Sequence, residues 1–279
     1  MRKITNELIE SFKNYLIEEE KSENTIEKYI RDITFFMVWL CGQEVTKILA
    51  LEYKKELCEK YAPASVNAAI SSLNSFFSFM EWHDVRIKAL KIQLQIFSSK
   101  DKELTKAEYE RLLTTAKNKK NERLYYLMQT ICSTGIRVSE LRYITTSAVH
   151  SGQAFINCKG KMRIVILPKE LCKMLKRYIR ENNIKNGSVF VSRNGKPLDR
   201  SYIWKMLKAL CETAGVSKDK VFPHNFRHLF ARTYYSLQKD IVRLADILGH
   251  SSVNTTRIYT MSTDEVHRRQ IQKLGLLRC

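Results

Sequence analysis

The sequence predicts a mainly α-helical protein with a small β-hairpin, divided into a helical N-terminal domain and a mixed α+β C-terminal domain. Apolar residues recur at helical spacing through most of its 279 residues, which indicates amphipathic helices. Two short apolar segments, GQAFINC and MRIVILP, flank Lys159-Gly160-Lys161, as is typical of a β-hairpin. A polar stretch, SSKDKE, interrupts the periodicity before residue 104 and is suited to a linker.

The N-terminal domain, residues 1–95, is predicted to contain four helices. It has one glycine, Gly42, and one proline, Pro63, so few positions break a helix. The helical patterns cover about residues 6–19, 24–40 and 48–60, and the fourth follows Pro63. In the fourth, the apolar residues at helical spacing are Val66, Ala69, Ile70, Leu73, Phe76, Phe77 and Met80. This stripe predicts a helix that faces a shared core.

Residues 96–104 are interpreted as the linker and residues 105–279 as the second domain. Thr105 and Glu108 have the spacing of a capping box, which predicts a helix start. The helical patterns that follow cover about residues 105–119 and 122–133.

The motif TGIRVSEL at 134–141 follows these helices. Gly135 permits a break, and the apolar residues after it suggest a short helix with Arg137 at its start. A guanidinium held there can bond two phosphate oxygens through its planar fork. The spacing alone favours the simpler alternative, an arginine paired with Glu140.

After the hairpin, the sequence predicts two helices with a short strand between them. The first helix starts at Pro168 and extends to about residue 182, and SVFVS at 188–192 has the composition of a strand. Asn194-Gly195 marks a turn. The second helix covers 200–214, and the cations on its polar face are Arg200, Lys205 and Lys208.

The next predicted helix begins at Pro223, which suits a first helical position. Its apolar stripe comprises Phe226, Leu229, Phe230, Thr233 and Leu237. His224 and Arg227 are three residues apart, so they share the face roughly opposite that stripe. With the free N–H groups of the helix start, they form a predicted anion site.

Two further segments follow this helix. Asp240 is predicted to cap a helix and Gly249 to end it, which places His250 just past the helix end. The stripe of that helix comprises Ile241, Leu244, Ala245 and Leu248. Ser252 can cap a short segment that carries Tyr259 about two turns on. This spacing can bring four side chains around one point: His224, Arg227, His250 and Tyr259.

Each candidate also has a simpler interpretation. Tyr259, one of 13 tyrosines, can be a packing residue near a helix end, and Arg227 can be a surface arginine. His224 and His228 have the i,i+4 spacing of a helical zinc pair. Neither an HExxH motif nor a Cys-x-x-Cys pair accompanies them, so the sequence predicts no metal site.

The charge distribution points to a polyanionic partner. The net charge is +19, and residues 1–100 hold 14 Lys and Arg against 14 Asp and Glu, so the whole excess lies in residues 101–279. Affinity for a polyanion should therefore reside mainly in the second domain. A solvated basic surface without a partner is the alternative.

Composition also excludes some classes of protein. The chain has no run of about 18 apolar residues that would indicate a membrane-spanning helix. Its start, MRKITNELIESFKNYL, lacks a signal-peptide core. The seven cysteines show no paired spacing, so we interpret them as reduced thiols of a cytoplasmic protein.

The ordered set of motifs resembles a known family. HNFRH at 224–228, LGH at 248–250 and Tyr259, nine residues after His250, closely resemble the second half of the tyrosine recombinase (integrase) signature. TGIRVSEL resembles its first arginine motif, and LGHSSVNTTRIYT resembles the Xer branch. The resemblance implies a core-binding domain and a catalytic domain that clamp DNA, in a site-specific recombinase.

The resemblance implies roles for the residues that would bind the scissile phosphate. Arg137 and Arg227 would clamp the non-bridging oxygens, and His250 would donate a further hydrogen bond. Glu140 would brace Arg137. The residues with an expected role in DNA binding are Lys161, Arg200, Lys205 and Lys208.

It also implies how protons move. Tyr259 would attack phosphorus to form a 3′-phosphotyrosyl link, and His224 would accept the phenol proton. Lys159 would protonate the leaving 5′ oxygen, with Lys161 as the alternative donor. No cofactor, ATP or metal is implied.

The expected partners follow from the same resemblance. They are double-stranded DNA with inverted half-sites, a homotetramer on two duplexes, and accessory DNA-bending or directionality proteins. Residues 264–277 are predicted to form a last helix that docks onto a neighbouring subunit, and packing on its own domain is the alternative. Two other functions stay open: a type IB topoisomerase-like DNA-relaxing enzyme, and a catalytically inactive DNA-binding relative.

Overall fold

The computed structural model of the chain describes residues 2–92, 102–158, 161–192, 194–250 and 252–259, with Cys158 and Lys161 described by backbone alone. The predicted residue Lys159, residues 96–101 of the predicted linker and the predicted helix at 264–277 lie outside these ranges. The chain divides into two compact units, residues 1–94 and 95–279.

The first unit is helical. Its helices are α1 (Asn6–Glu18), α2 (Glu23–Leu40), α3 (Lys47–Lys60) and α4 (Pro63–Phe79). The side chains of Thr5 and Thr46 accept hydrogen bonds from backbone N–H groups and so cap α1 and α3. In the predicted α4 stripe, Val66, Ile70, Leu73, Phe76 and Phe77 are buried, whereas Ala69 and Met80 pack at the edge of the core.

The second unit combines helices with a two-stranded antiparallel sheet. Its elements are α5 (Lys106–Asn118), α6 (Glu122–Thr134), α7 (Thr146–Ser151), β1 (Gln153–Cys158), β2 (Lys161–Ile166), α8 (Lys169–Glu181), α9 (Arg200–Ala214), α10 (Pro223–Gln238), α11 (Ile241–Leu248) and α12 (Val253–Thr256). Short 3-10 turns follow α6 at Val138–Tyr143 and follow α12 at Arg257–Tyr259. The predicted fold class, mainly helical with a small hairpin, is confirmed.

The hairpin alternates between a buried and an exposed face, because successive strand residues point to opposite sides. Ala154 on β1 and its register partner Val165 on β2 are buried in the core, whereas Phe155 and Ile164 are paired on the exposed face. Arg163 lies on the inward side with Val165, and its side chain is 14% exposed.

Three details of the sequence prediction are wrong. Residues 188–192 form no strand: Ser188 and Val191 make isolated bridges to Thr145 and Pro197, since this segment runs between elements rather than along a partner strand. Pro168 is the N-cap residue of α8 and not its first helical residue, since its ψ of 143° is extended; the helix begins at Lys169. On α10, Leu237 is 75% exposed and Arg227 only 1% exposed, because α10 packs against both α6 and α11 and so buries more than one face.

The structure bears on two features of the composition: membrane-spanning segments and cysteines. No helix among the described residues is long and apolar enough to cross a membrane. The cysteines whose side chains are described are free thiols: Cys41, Cys58, Cys132, Cys172 and Cys211.

Candidate active site

Arg227 is the centre of the cluster that the sequence predicts. It lies in the second turn of α10, where Pro223 supplies the first helical residue. One terminal nitrogen donates to the Gly135 carbonyl at 2.5 Å, and the other donates to the Leu248 carbonyl at 2.7 Å and to His250 Nε2 at 3.0 Å. One buried side chain therefore joins the end of α6, the end of α11 and the residue that follows Gly249.

The burial of this guanidinium carries an electrostatic cost. Burial, and then the charge of Arg137, lower the pKa of Arg227 to about 10. It stays a cation at neutral pH, held by carbonyl dipoles rather than by a carboxylate. Three of the five N–H bonds of a guanidinium are used in these contacts, a side-chain hydrogen bond also joins Arg227 to Tyr259, and Nε has no partner among the described residues. The N–H groups that do not bond a carbonyl or His250 are suited to bond an anion.

The hydrogen bonds of His250 define its tautomer. Because arginine only donates, His250 Nε2 is the acceptor of the Arg227 bond. The ring proton therefore lies on Nδ1, which donates to Thr256 Oγ1 at 2.8 Å. Burial and the neighbouring arginines lower the pKa of His250 to about 4, so the ring is neutral at neutral pH.

Tyr259 lies in the 3-10 turn after α12 and is 3% exposed. Ala231, Leu244 and Leu248 form the apolar cluster around it. Its ring stacks on His250 at 6.2 Å between centroids and meets His228 edge to face at 4.9 Å. Burial raises the pKa of the phenol, and the charge of Arg227, a hydrogen bond with Arg227 and the charge of Arg137 oppose that rise. The phenol is therefore both packed and close to two cations.

His224 and His228 lie one turn apart on α10, with ring centroids separated by 4.5 Å. His224 is exposed at the surface of the cluster, and partial burial followed by the charges of Arg227, Arg137 and Arg200 lowers its pKa. Burial lowers the pKa of His228 to about 3, so that ring is neutral. No group of three metal-ligating side chains is found in the described part of the chain.

Arg137 and Glu140 form the pair that their spacing predicts. The Arg137 guanidinium donates to Glu140 Oε1 at 3.0 Å and to the Gly249 carbonyl at 3.2 Å. Glu140 is 3% exposed. Its burial raises the pKa of the carboxyl, but the Arg137 backbone N–H and the guanidinium groups of Arg163 and Arg137 outweigh this and leave the pKa below its ordinary value.

Arg163 completes this network, and sequence reasoning missed it. From β2 it donates to Glu140 Oε2 at 2.5 Å and to the Ile247 carbonyl at 2.7 Å. It thereby ties the hairpin to Glu140 and to α11. The available signal was its inward position in a strand whose next inward residue, Val165, is apolar. A buried arginine at such a position needs a partner.

Gly249 has a specific steric role beneath Arg163. It ends α11 at a φ of 63°, and a Cβ there would lie 2.3 Å from Arg163 Cδ. We expect Gly249→Ala to lower the free energy of unfolding by more than the roughly 1–2 kcal/mol of a left-handed alanine, because Arg163 must also move. Urea unfolding measures the change. The matched control is Gly215→Ala, which has a φ of 61° and nothing within 4 Å; equal losses in the two variants would contradict the steric role.

The predicted DNA-binding residues lie on two elements. On α9, Arg200 and Lys205 are exposed. Lys208 donates to the Lys218 carbonyl and lies 5.1 Å from the Trp204 ring centroid. Lys161 begins β2. Because Arg200 contributes to the lowered pKa of His224, the start of α9 adjoins the cluster.

The chain is similar to known proteins over most of its length. Residues 102–266 match the phage integrase family, and residues 9–84 match the phage integrase N-terminal SAM-like domain. The chain is 30% identical to tyrosine recombinase XerA of Pyrococcus furiosus, with 98% of this chain and 96% of that protein covered. It is 31% identical to tyrosine recombinase XerD of Listeria monocytogenes, with 92% and 95% covered.

A solved structure shares the fold. A lambda integrase tetramer bound to a Holliday junction superposes with a TM-score of 0.71 at 18% identity, covering 91% of this chain and 76% of that one.

Proposed function

The chain belongs to the phage integrase family of tyrosine recombinases, which cleave and rejoin DNA, and from this we propose that Tyr259 is its nucleophile in site-specific recombination. The observation that carries the proposal is the convergence on Arg227. Its guanidinium bonds His250, and its charge and that of Arg137 act on the Tyr259 phenol. Two cations beside a tyrosine are what phosphoryl transfer from DNA to a phenol requires.

In the proposed cleavage step, Arg227 and Arg137 bind the non-bridging oxygens of one phosphate. Tyr259 Oη attacks phosphorus, the bond to the 5′ oxygen breaks, and a 3′-phosphotyrosyl link forms. The energy of the phosphodiester is kept in that link, so a 5′ hydroxyl from a partner strand can reverse the step without a nucleotide. Glu140, bonded to both Arg137 and Arg163, holds Arg137 in place.

Two protons must move in this step. We assign acceptance of the phenol proton to His224, which is the exposed histidine of the cluster, and donation to the leaving oxygen to Lys159, with Lys161 as the alternative. His250 accepts from Arg227 in the absence of DNA. If a phosphate oxygen replaces it as acceptor, the ring proton can move from Nδ1 to Nε2, so that Nε2 donates to the phosphate and Nδ1 accepts from Thr256 Oγ1.

The proposed assembly is a homotetramer that brings two duplexes together. Residues 1–95 act as the core-binding domain and residues 105–279 as the catalytic domain, closing on a DNA site with inverted half-sites. Residues 264–277 of each subunit dock onto a neighbour, and accessory proteins bend the DNA or set direction. The lambda integrase tetramer on a Holliday junction is a precedent for this arrangement. We place the reaction in the cytoplasm, on DNA of a mobile element or chromosome.

A plasmid assay separates recombination from relaxation alone. One supercoiled plasmid carries two copies of the DNA that flanks the gene, and a second carries neither copy. We expect recombinant circles or inversions from the first plasmid and none from the second. Relaxation of both plasmids without recombinants would instead indicate a type IB topoisomerase-like enzyme, and binding without strand breakage would indicate an inactive relative.

A further inference from the structure

Helix α8 carries a stripe of cations that the proposed reaction does not use. Lys169, Lys173, Lys176 and Arg180 recur at spacings of four, three and four residues, so they share one helical face. All four are exposed. We call these four residues the α8 stripe. The opposite face of α8 packs into the core through Leu171, Leu175 and Tyr178.

The stripe lowers the stability of its own helix. Like charges three or four residues apart on a helix repel each other and destabilise it, and the stripe contains three such pairs. The nearby Arg177 pairs with Glu181 at 3.9 Å, but no residue of the stripe forms an ion pair within the described ranges. Stability alone gives no reason for this pattern, whereas a polyanionic partner does.

Positive charge continues from the stripe into clefts at both ends of α8. The cleft near its start is lined by Lys169, Lys173 and Lys176 together with His150, and no carboxylate is among its described lining residues. The cleft near its end is lined by the cations Lys117, Lys120, Arg123 and Arg177 and by the carboxylate of Glu122. The basic surface is therefore longer than the stripe itself, which spans about 16 Å along the axis.

The stripe is separate from the cluster around Arg227. Arg177 on α8 donates to Tyr126 Oη at 2.8 Å, which places the end of α8 beside the first half of α6. Arg137 follows the far end of α6. Tyr126 and Thr134 are eight residues apart, or about 12 Å along the helix. A DNA contact at the end of α8 would thus lie away from the cleaved phosphate.

We propose that the α8 stripe binds the DNA backbone as a second contact surface, outside the phosphate that Tyr259 attacks. The partner is duplex DNA because its charge density, about one negative charge per 1.7 Å of axis, matches an extended row of cations. The inference rests on the proposed function only in taking DNA as the substrate.

The test compares two triple variants of the full-length chain. One is Lys169→Gln, Lys173→Gln and Lys176→Gln. The control, Lys13→Gln, Lys21→Gln and Lys60→Gln, removes the same charge from lysines that are paired with Glu10, Glu19 and Glu56. DNA affinity is measured against salt concentration, on a short core duplex and on one extended by several helical turns.

For the stripe variant we expect the slope of log affinity against log salt to decrease by about two to three, since each phosphate contact contributes about 0.9. Its thermal stability should be unchanged or higher, because repulsion is removed. The decrease should exceed that of the control, whose lysines lie in the proposed core-binding domain but are paired with carboxylates. A decrease on the extended duplex alone would place the contact on flanking DNA, and a decrease on both would place it on the core duplex.

The proposal is overturned if the stripe variant becomes more stable while its slope equals that of the native chain on both duplexes, since the stripe would then be a solvated surface. The proposed function is tested separately by the covalent adduct that the native chain forms in the same samples. If the native chain binds DNA and forms the adduct, but the stripe variant has the same salt slope as the native chain, the α8 contact is rejected and the proposed function is not.

Discussion

Phenylalanine in place of Tyr259 is expected to abolish the covalent protein–DNA adduct while leaving DNA binding intact. The substitution removes one oxygen, the proposed nucleophile, so the reaction loses the atom that forms the new bond. Loss of a nucleophile typically lowers turnover by about 10³-fold or more. The measurement is a denaturing gel of protein mixed with a nicked duplex, on which the leaving strand diffuses away and the adduct accumulates.

The packing of Tyr259 makes this variant a clean test. The ring is buried among Ala231, Leu244 and Leu248, and phenylalanine keeps the ring and its contacts with His228 and His250. Thermal stability should therefore change little. The substitution removes the hydrogen bond between the phenol and Arg227, but Arg227 keeps its bonds to the Gly135 and Leu248 carbonyls and to His250, so no buried charge is left unpaired.

A matched control comes from the same cluster. Tyr234 packs against the residues that surround Tyr259 and is only partly buried. Tyr234→Phe should form adduct at the native rate. If the adduct persists in Tyr259→Phe but disappears in Tyr234→Phe, the nucleophile is Tyr234. If the adduct persists in both variants, Tyr259 is not the nucleophile.

Local signals in the sequence predicted most of the elements. The capping box of Thr105 and Glu108 is present, Asp240 caps α11 and Gly249 ends it, and the hairpin pairs across Lys161 and Cys158. These features depend on neighbours within a few residues of one another. Residues 188–192 failed as a strand because a strand needs a partner, and the pattern of one segment does not supply one.

Spacing and family resemblance name candidate members of the site, but they do not predict the hydrogen bonds that connect them. His250, Arg227 and Tyr259 could be grouped from spacing and family resemblance, yet the bond from Arg227 to the Gly135 carbonyl spans 92 positions. Arg163 was missed for the same reason, since its partners Glu140 and Ile247 lie on other elements. A polar residue on the core side of a strand is visible in sequence, but its partner is defined only by the tertiary fold.

The position of His228 shows a second limit of sequence reasoning. Its i,i+4 spacing from His224 is also that of a helical zinc pair, although no accompanying motif supported a metal site, and the structure places its ring in contact with Tyr259. Burial lowers the pKa of His228 to about 3, so it stays neutral and adds no charge beside Arg227. Spacing along one helix could not distinguish a ligand pair from a ring that packs against a residue 31 positions away.

Lysine in place of Arg227 is expected to reduce single-turnover cleavage at saturating DNA by about 10²- to 10³-fold, the typical cost of losing one donor to a transition-state anion. Arg227 holds Gly135, Leu248 and His250 with its two terminal nitrogens and still has N–H groups for a phosphate. An ammonium is a compact donor without a planar fork. It cannot reach both carbonyls and the phosphate together.

The same substitution should also lower stability, because at least one buried carbonyl loses its donor at a cost of about 1–3 kcal/mol. Arg232→Lys on the same helix is the control: Arg232 pairs with Glu103 at 2.8 Å and donates to the Leu104 carbonyl, so it has a comparable structural role away from the phosphate. If both variants lose similar stability in urea and Arg227→Lys alone loses cleavage, the defect is catalytic. Cleavage by Arg227→Lys at close to the native rate would show that the buried guanidinium serves the fold and that other cations bind the phosphate.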